Sequence, residues 1–532
     1  MLRFTLTTLF SNKSKHSTLI LIFEFIYCRM FRIVSIVLLF LSLHTSAQSY
    51  IGFDADNFNG IHGALFNPAN IADSRTKIDI NLISASLFTV NNYFAADFWK
   101  AITDGESFTS AKDIEKVGID KRTSGVLNFD ILGPSALVTI NKKHAVGLTT
   151  RFRSLLNFNT VDGEVIDFFD TGLQEKRPIR IADVNFNGVT NNFAELGVSY
   201  AQVFKNDRVE FLKGGVTLKY LRGFGSGTAQ LSDGVIFYNP ADPITVFTRG
   251  QAEYSFSNNL DKNNNGQIGK NTEDNDILGN ARGFGIDLGV VYEYRPKPRT
   301  NVSRDNVKEQ QIIRHITTYK YKIGASILDI GYINYKNQRV KNYDAISFDR
   351  QTLLDVNSFN NVEDTFTPRS SNEDFVVSLP TRLRIEFDLH LNKKFFLNAA
   401  SHLSLIGKKA SKSNRYANQI TVSPRYESKW FTAFLPVTAT QYGGVQVGLG
   451  GRLGPVFIGT SGFFSRAFDK KTRAFDIYAG LKIPIYHKTP ERKNLPKENE
   501  DPTRFNCTEG CAPVKANKVK KLKGYKGEFD GK

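Results

Sequence analysis

The feature that most constrains this chain is a regular alternation of apolar and polar side chains over segments of about ten residues. Residues 382–391 show it most clearly and read RLRIEFDLHL. Because successive side chains of a β-strand point to opposite faces, one face of this segment is apolar and the other is charged. The segments 284–294 and 475–485 repeat the pattern. Alternation over this length is typical of strands that cross a membrane in a β-barrel.

The N-terminal residues 1–47 are predicted to be a leader outside the fold. An apolar stretch from Ile33 to Leu43 follows a short basic start and ends at the small residues Ser46 and Ala47. This pattern predicts a secretory signal peptide that is cleaved after Ala47.

The only methionines are Met1 and Met30, so we predict that translation starts at Met30, with a genuinely long leader as the alternative. After residue 47 no run of about 18 apolar residues occurs, and the sequence therefore predicts no transmembrane helix. The mature chain is expected to be an exported β-protein, either soluble or embedded in a membrane as a barrel.

The connections between the predicted strands favour the barrel, because they alternate between tight and long, as in bacterial outer-membrane barrels. The tight connections are 141–143, 205–209, 392–394, 428–429 and 454. The long ones are 93–123, 158–191, 225–282 and 335–378. One exception is the stretch 296–318, which is long although the alternation predicts a tight turn there. The predicted strands are 77–92, 124–140, 144–157, 192–204, 210–224, 283–295, 319–334, 379–391, 395–407, 416–427, 430–440, 443–453, 455–465 and 473–486.

The predicted fold is therefore all-β, a transmembrane antiparallel β-barrel of about 14 strands over residues 77–486. An even number of strands places both termini at the end with the tight turns. In the outer membrane of a Gram-negative bacterium this end faces the periplasm, and outer-membrane lipid surrounds the barrel.

Two motifs carry a family resemblance. Residues 59–75 read NGIHGALFNPANIADSR and resemble the N-terminal segment of a Bacteroidota outer-membrane barrel family of unknown function. The core Asn67, Pro68, Ala69 and Asn70 also resembles the N-terminal hatch of fatty-acid-transporter barrels and of barrels associated with type IX secretion. Residues 450–459, GGRLGPVFIG, resemble a late-strand motif of the same unknown-function family.

The resemblance implies an N-terminal hatch over residues 48–76 that folds back into the barrel. It implies a passive channel or transporter for small or hydrophobic solutes. The alternative is a non-conducting partner or scaffold barrel of an export or surface-anchoring machine. The activity of the resembled family is unsettled, so the resemblance assigns no catalytic or ligand-binding residue.

The charged face of segment 382–391 is expected to line the lumen. A turn centred on Lys393 pairs Arg384 with His402, Glu386 with Ala400 and Asp388 with Asn398. We interpret this row as a solvated wall, with a polar path or anchorage of the hatch as the alternatives. Arg in place of the lipid-facing Phe387 is then expected to cost more stability than Arg in place of Asp388.

The segment 261–273 matches the first half of a calcium-binding loop, with oxygen ligands at alternate positions and Gly266 at the turn. Its twelfth position is Thr272 instead of the expected Glu, and the alternative is an Asn-rich surface turn. Calcium is the only cofactor that the sequence suggests, through Asp261, Asn263, Asn265, Gln267 and Glu273.

The tail, residues 487–532, carries 12 Lys and Arg against 7 Asp and Glu, a net charge of +5. Its low apolar content predicts a flexible segment that orders only on a partner. Cys507 and Cys511 are predicted to form a disulfide in the oxidising periplasm. The expected partners are a periplasmic or secretion-machinery protein or anionic lipid, and no nucleic acid.

The chain is not expected to be an enzyme. It contains neither a G-x-S-x-G nor an H-E-x-x-H motif, and its eight His residues show no metal-ligand spacing. The paired glycines near 283 and 448 lie inside predicted strands, so they do not form a nucleotide-binding turn.

Overall fold

The computed structural model describes residues 50–487 except 98–113, 119–121, 172–177, 208, 240, 242–245, 258–260, 263–266, 269–280, 297–318, 345–368, 393, 408–409, 411 and 466–470. Nearly all of this part of the chain is β-structure. Its strands, in chain order, are β1 (Thr76–Asn91), β2 (Phe94–Ala96), β3 (Ile114–Lys116), β4 (Arg122–Leu132), β5 (Ser135–Thr139), β6 (His144–Asp162), β7 (Ile179–Asn206), β8 (Glu210–Tyr238), β9 (Val246–Phe256), β10 (Asp261–Lys262), β11 (Gln267–Ile268), β12 (Ala281–Tyr294), β13 (Tyr321–Asp344), β14 (Arg369–Ser378), β15 (Arg382–Asn392), β16 (Phe395–Ser404), β17 (Gln419–Glu427), β18 (Phe431–Phe434), β19 (Val437–Thr440), β20 (Gly444–Val447), β21 (Leu449–Leu453), β22 (Val456–Thr460) and β23 (Ala474–Tyr486).

The main sheet closes on itself. Strand β23 pairs antiparallel with β1, from Thr76 opposite Tyr486 to Val90 opposite Ala474. Each remaining wall strand pairs antiparallel with its neighbours in chain order. Some wall positions are shared by two short strands, such as β4 with β5 and β18 with β19. Counted in this way, the described residues form fourteen wall positions, and the predicted antiparallel barrel is confirmed.

The two ends of the barrel differ. The turn end carries the tight connections, including 141–143 and 428–430, and the loop end carries the long ones. At the loop end β7 and β8 are 28 and 29 residues long and stay paired from Asn206 opposite Phe211 to Ile179 opposite Tyr238. The predicted loops 158–191 and 225–282 were therefore wrong over much of their length. Polar strand residues continue the ladder beyond the apolar band of the wall.

The outer face of the wall is apolar and the inner face is polar. Outward residues such as Phe284, Leu218 and Phe387 are 65%, 60% and 42% exposed, while the inward Arg384 and Asp388 are 1% and 0% exposed. A charged interior inside an apolar exterior inverts the arrangement of a soluble protein and fits a barrel surrounded by lipid. The chain is thus a transmembrane β-barrel.

The helical structure in the described residues is short. Helix α1 (Gly163–Thr171) follows β6, and three 3-10 turns at Phe53–Ala55, Gly60–Leu65 and Pro68–Ile71 lie before β1. None of the helices in the described part of the chain is long and apolar enough to cross a membrane.

Two segments occupy the interior of the barrel. The hatch is described from Tyr50 and is buried along most of its length up to β1. From the loop end, the described residues between β16 and β17 turn inward at 412–418, and we name the connection 405–418, apart from 408, 409 and 411, the inner loop. Its residues Asn414, Tyr416 and Ala417 are 0%, 3% and 0% exposed. The hatch therefore fills the lumen from the turn end and the inner loop from the loop end.

Closure of the barrel leads to the first prediction. Because the wall has no free edge, each wall strand is hydrogen-bonded to a neighbour on both sides. Unheated protein in SDS should therefore remain folded. We expect unheated and boiled samples to migrate at different positions on a gel. Identical mobility in both samples would contradict the closed barrel.

Candidate functional site

The hatch is bound to the wall by polar side chains that contact three different wall strands. Asp54 accepts a hydrogen bond from Arg384 of β15 at 2.6 Å, and Asp56 accepts one from Arg452 of β21 at 2.7 Å. Asn57 adds an amide hydrogen bond to Glu427 of β17 at 3.0 Å. Removing one partner of such a buried pair leaves an uncompensated charge and costs about 3–5 kcal/mol. These contacts fix the hatch in one position.

A third acidic residue, Asp73, lies where the hatch leaves the barrel. It pairs with Arg295, just beyond β12, at 2.8 Å. Burial raises the pKa of the Asp73 carboxyl, but the charges of Arg295 and Arg75 outweigh it, and the pKa lies below its ordinary value. The carboxylate therefore stays ionised and keeps its partner. We call the three pairs, Asp54–Arg384, Asp56–Arg452 and Asp73–Arg295, the hatch clasp.

Apolar contacts support the hatch clasp. Phe53 stacks on Phe457 of the wall, with ring centroids 4.0 Å apart. A second cluster packs Ile61 and Ile71 of the hatch against wall residues that include Leu137 and Phe211. The hatch thus contributes a small hydrophobic core to an otherwise polar interior, and displacing it exposes this surface.

The predicted lumen row lies where the hatch meets the wall. The register pairs Arg384 with His402, Glu386 with Ala400 and Asp388 with Asn398. The interpretation of this row as a solvated wall was wrong, because Arg384, Glu386, Asp388 and His402 are all at most 2% exposed. The hatch excludes water from them. Asp388 pairs with Arg425 at 3.1 Å and accepts a hydrogen bond from the Tyr319 hydroxyl.

A second charge network lies towards the loop end. Asp329 pairs with Arg153 at 2.8 Å and with Lys219 at 2.7 Å, and Lys219 also pairs with Asp287 at 2.8 Å. Glu195 and Arg382 complete the group, at 3.3 Å from Arg153 and 3.9 Å from Asp329 respectively. We call these six residues the central network. It joins strands β6, β7, β8, β12, β13 and β15 across the lumen.

The predicted hatch motif forms the tip of the hatch and touches the wall. Asn67 accepts a hydrogen bond from the Ala69 amide at 3.0 Å and begins the turn Pro68–Ile71, in which Pro supplies the fixed φ. The Asn67 amide donates to the carbonyls of Val290 at 3.1 Å and Ala325 at 3.3 Å. It therefore bridges β12 and β13. Asn70 lies in the same turn and lines a polar cavity of about 30 Å³.

The wall at this tip is thin because two inward positions are glycine. A Cβ atom on Gly289 would lie 2.0 Å from the Asn67 side-chain oxygen, and one on Gly215 would lie 2.5 Å from the Pro68 carbonyl carbon. With Asn67 and Pro68 in place, neither position has room for a side chain. The alternation of residues 284–294 predicted that Gly289 faces inward, but the contacts of Gly289 and Gly215 with the hatch were not predicted.

An apolar groove lies on the outer face of the same wall. Its volume is about 600 Å³, and it is lined by outward side chains together with Gly214, Gly215 and Gly289. The larger lining residues are Tyr200, Phe204, Leu288, Val290, Ile327 and Leu383. The hatch tip and the lipid-facing groove are therefore separated by backbone alone at these glycines.

The remaining predicted site residues are placed only in part. Asp261 pairs with Ile268, and Lys262 with Gln267, in the small hairpin of β10 and β11. Asn263, Asn265 and Glu273 lie outside the described residues, so calcium binding stays a prediction. The same holds for the disulfide of Cys507 and Cys511. In the described part of the chain no group of three or more His, Cys, Asp or Glu side chains could hold a metal ion.

Comparisons with known proteins match the chain to a family and to solved barrels. The family described as "Family of unknown function (DUF5723)" matches residues 68–461. A Pseudomonas aeruginosa FadL homologue is similar over 83% of this chain and 99% of its own, with 11% identity and a TM-score of 0.38. The toluene transporter TbuX of Ralstonia pickettii is similar over 80% and 94%, with 9% identity and a TM-score of 0.36. No curated protein matches the sequence.

Proposed function

This chain belongs to the DUF5723 family of unknown function, and from its barrel we propose that it is a passive outer-membrane channel for small apolar solutes. In this proposal the loop end faces the outside of a Gram-negative cell, and the turn end and both termini face the periplasm. The hatch is the element that opens and closes the path.

The observation that carries the proposal is the position of the hatch tip. It contacts a part of the wall whose inward positions are glycine, and an apolar groove lies on the outer face of the same part. Asn67 and Pro68 contact Gly289 and Gly215 from inside, and the groove of about 600 Å³ lies outside the same glycines. Transfer of an apolar solute from water into such a groove is favourable, because it lowers the free energy by roughly 25 cal/mol per Å² of apolar area buried. A displaced tip would open the lumen on the inner side of this wall, whose backbone pairing stays intact.

A reversible lock on the hatch tip tests the proposal. In a chain with Cys507→Ser and Cys511→Ser, the pair Asn67→Cys and Gly289→Cys places two thiols at the contact between tip and wall. The oxidised protein, in vesicles containing lipopolysaccharide, should take up a small apolar solute no faster than empty vesicles. Reduction should restore rapid uptake, because the tip can move again.

The single-cysteine protein Asn67→Cys serves as the control, since oxidation should leave its uptake unchanged. Equal uptake by the oxidised and reduced double-cysteine protein would contradict a gating role for the tip. Uptake by the parent protein equal to that of empty vesicles would contradict the channel itself.

A second candidate function is a non-conducting partner barrel for an export or surface-anchoring machine. The specific observation in its favour is that the hatch and the inner loop fill the lumen from both ends. The basic tail, residues 487–532, would then bind a periplasmic partner or anionic lipid. This candidate predicts no solute uptake in any redox state, together with saturable binding of one partner that is lost on removal of residues 488–532.

A further inference from the structure

The inner loop carries a buried arginine that the hatch clasp and the central network do not use. Arg415 is 4% exposed. Its backbone is fixed to β6, because its N–H donates to the side-chain oxygen of Asn157 at 3.1 Å and its carbonyl accepts from the Asn157 amide at 2.6 Å. Asn414 donates to the same Asn157 oxygen at 3.0 Å. The position of Arg415 in the lumen is therefore defined by the wall.

The carboxylates of the central network, which lies next to Arg415, are all balanced by the cations of that network. The adjacent residue, Tyr416, receives a hydrogen bond from Arg153 of the central network. That network contains three cations, Arg153, Lys219 and Arg382, and three carboxylates, Glu195, Asp287 and Asp329, so its formal charge is zero.

Within the described residues, Arg415 forms no ion pair, and its Nε and Nη1 atoms have no hydrogen-bond partner. Burying a charge without a partner is among the most costly arrangements in a protein. An anion that binds beside Arg415 would remove this cost.

A second unpartnered polar group lies beside the attachment point of the inner loop. Asn128 of β4 is 3% exposed, and neither atom of its amide group has a hydrogen-bond partner within the described residues. The register places Asn128 opposite Leu155 and Val126 opposite Asn157, so Asn128 and Asn157 are diagonal neighbours on the inner face. Asn128 therefore offers a donor and an acceptor close to the anchored backbone of Arg415.

We propose that the lumen binds a small oxyanion, with phosphate or carboxylate chemistry, at Arg415 and Asn128. The guanidinium supplies the charge and a planar set of donors that matches the oxygens of such groups. The Asn128 amide supplies a further donor and accepts a hydrogen bond from a hydroxyl of the ligand. The site lies on the loop-end side of the central network, away from the glycine wall, and it is independent of whether the barrel conducts.

Thermal unfolding of the full-length protein in detergent tests this site. The probes are sodium phosphate and sodium acetate, each compared with sodium chloride at equal ionic strength. A ligand that binds only the native state raises the Tm progressively with its concentration. A rise with phosphate alone identifies phosphate chemistry, a rise with acetate alone identifies carboxylate chemistry, and a rise with both identifies oxyanions in general. The absence of a rise with either would overturn the proposal.

Variants then locate the site. Arg415→Gln should abolish the oxyanion-dependent rise, whereas the control Lys412→Gln on the same loop should keep it, because Lys412 pairs with Glu253 at 3.0 Å. An equal rise in Arg415→Gln and the parent protein would overturn the proposal. If Arg415→Gln fails to fold, Arg415→Lys and Asn128→Leu decide, since each should weaken oxyanion binding by roughly tenfold or more. Unchanged affinity in both would also overturn it.

Discussion

Deletion of residues 50–72 is expected to leave a folded barrel whose single-channel conductance is well above that of the intact protein. The deletion removes the hatch tip and two of the three acids of the hatch clasp, Asp54 and Asp56. The wall keeps its own backbone pairing, from β1 to β23. Because a barrel of this width is not filled by its wall side chains alone, water and ions should enter the vacated lumen.

The part of the deletion's stability cost that comes from unpaired charges should be smaller than that of a single charge substitution in the hatch clasp, although the deletion also exposes the apolar wall surface beneath the hatch. Arg384 loses Asp54 but keeps its pair with Glu386 at 2.6 Å, and water that enters the lumen solvates the Arg452 guanidinium. By contrast, Asp56→Asn leaves Arg452 buried beside a seated hatch and should cost about 3–5 kcal/mol. Planar-bilayer recording and urea unfolding of both variants measure these two effects separately.

Removal of the tail, residues 488–532, is the matched control for the hatch deletion. It shortens the chain without touching the hatch, so conductance should stay at the level of the intact protein. Limited proteolysis adds a second check, since the buried hatch should resist cleavage in the folded protein. Ready cleavage within residues 50–72, with no change in conductance on their deletion, would show that the hatch does not plug the barrel.

The alternation of residues 382–391 was sufficient to predict both the strand and its two faces. Alternation is a local property with a period of two, so Ile385 and Asp388 could be assigned to opposite faces without knowledge of the fold. The tight turn at 392–394 fixed the register with β16 in the same way. The lengths of β7 and β8 were missed because their ladder continues through polar residues, where lipid no longer imposes an apolar face.

The pairing of the hatch with the wall could not be predicted from local pattern. Asp56 and Arg452 are 396 residues apart in the chain, and no short-range rule brings them together. What the sequence did contain was an acidic hatch and a predicted strand whose parity directs Arg452 inward. The inner loop was harder still, because Arg415 lies next to the start of a predicted strand and nothing local indicates that the loop turns into the lumen.

The exclusion of water by the hatch reverses one expectation. We now expect Asp388→Arg to destabilise the protein more than Phe387→Arg does. Arg at the lipid-facing position 387 should cost about 2–4 kcal/mol near the middle of the bilayer. Arg at position 388 would lose the pair with Arg425 and the hydrogen bond from Tyr319, and would add a cation close to Lys322. Breaking such a buried pair costs about 3–5 kcal/mol before any repulsion is counted.

Urea unfolding in lipid vesicles measures both substitutions, with Phe387→Leu and Asp388→Asn as matched controls. Phe387→Leu keeps an apolar outer face and should change stability little. Asp388→Asn removes the charge but keeps a hydrogen-bond acceptor for Tyr319, so it should lie between the parent and Asp388→Arg. A smaller cost for Asp388→Arg than for Phe387→Arg would mean that water reaches position 388. The hatch would then not be resident in the lumen, and the gating role proposed for it would lose its structural basis.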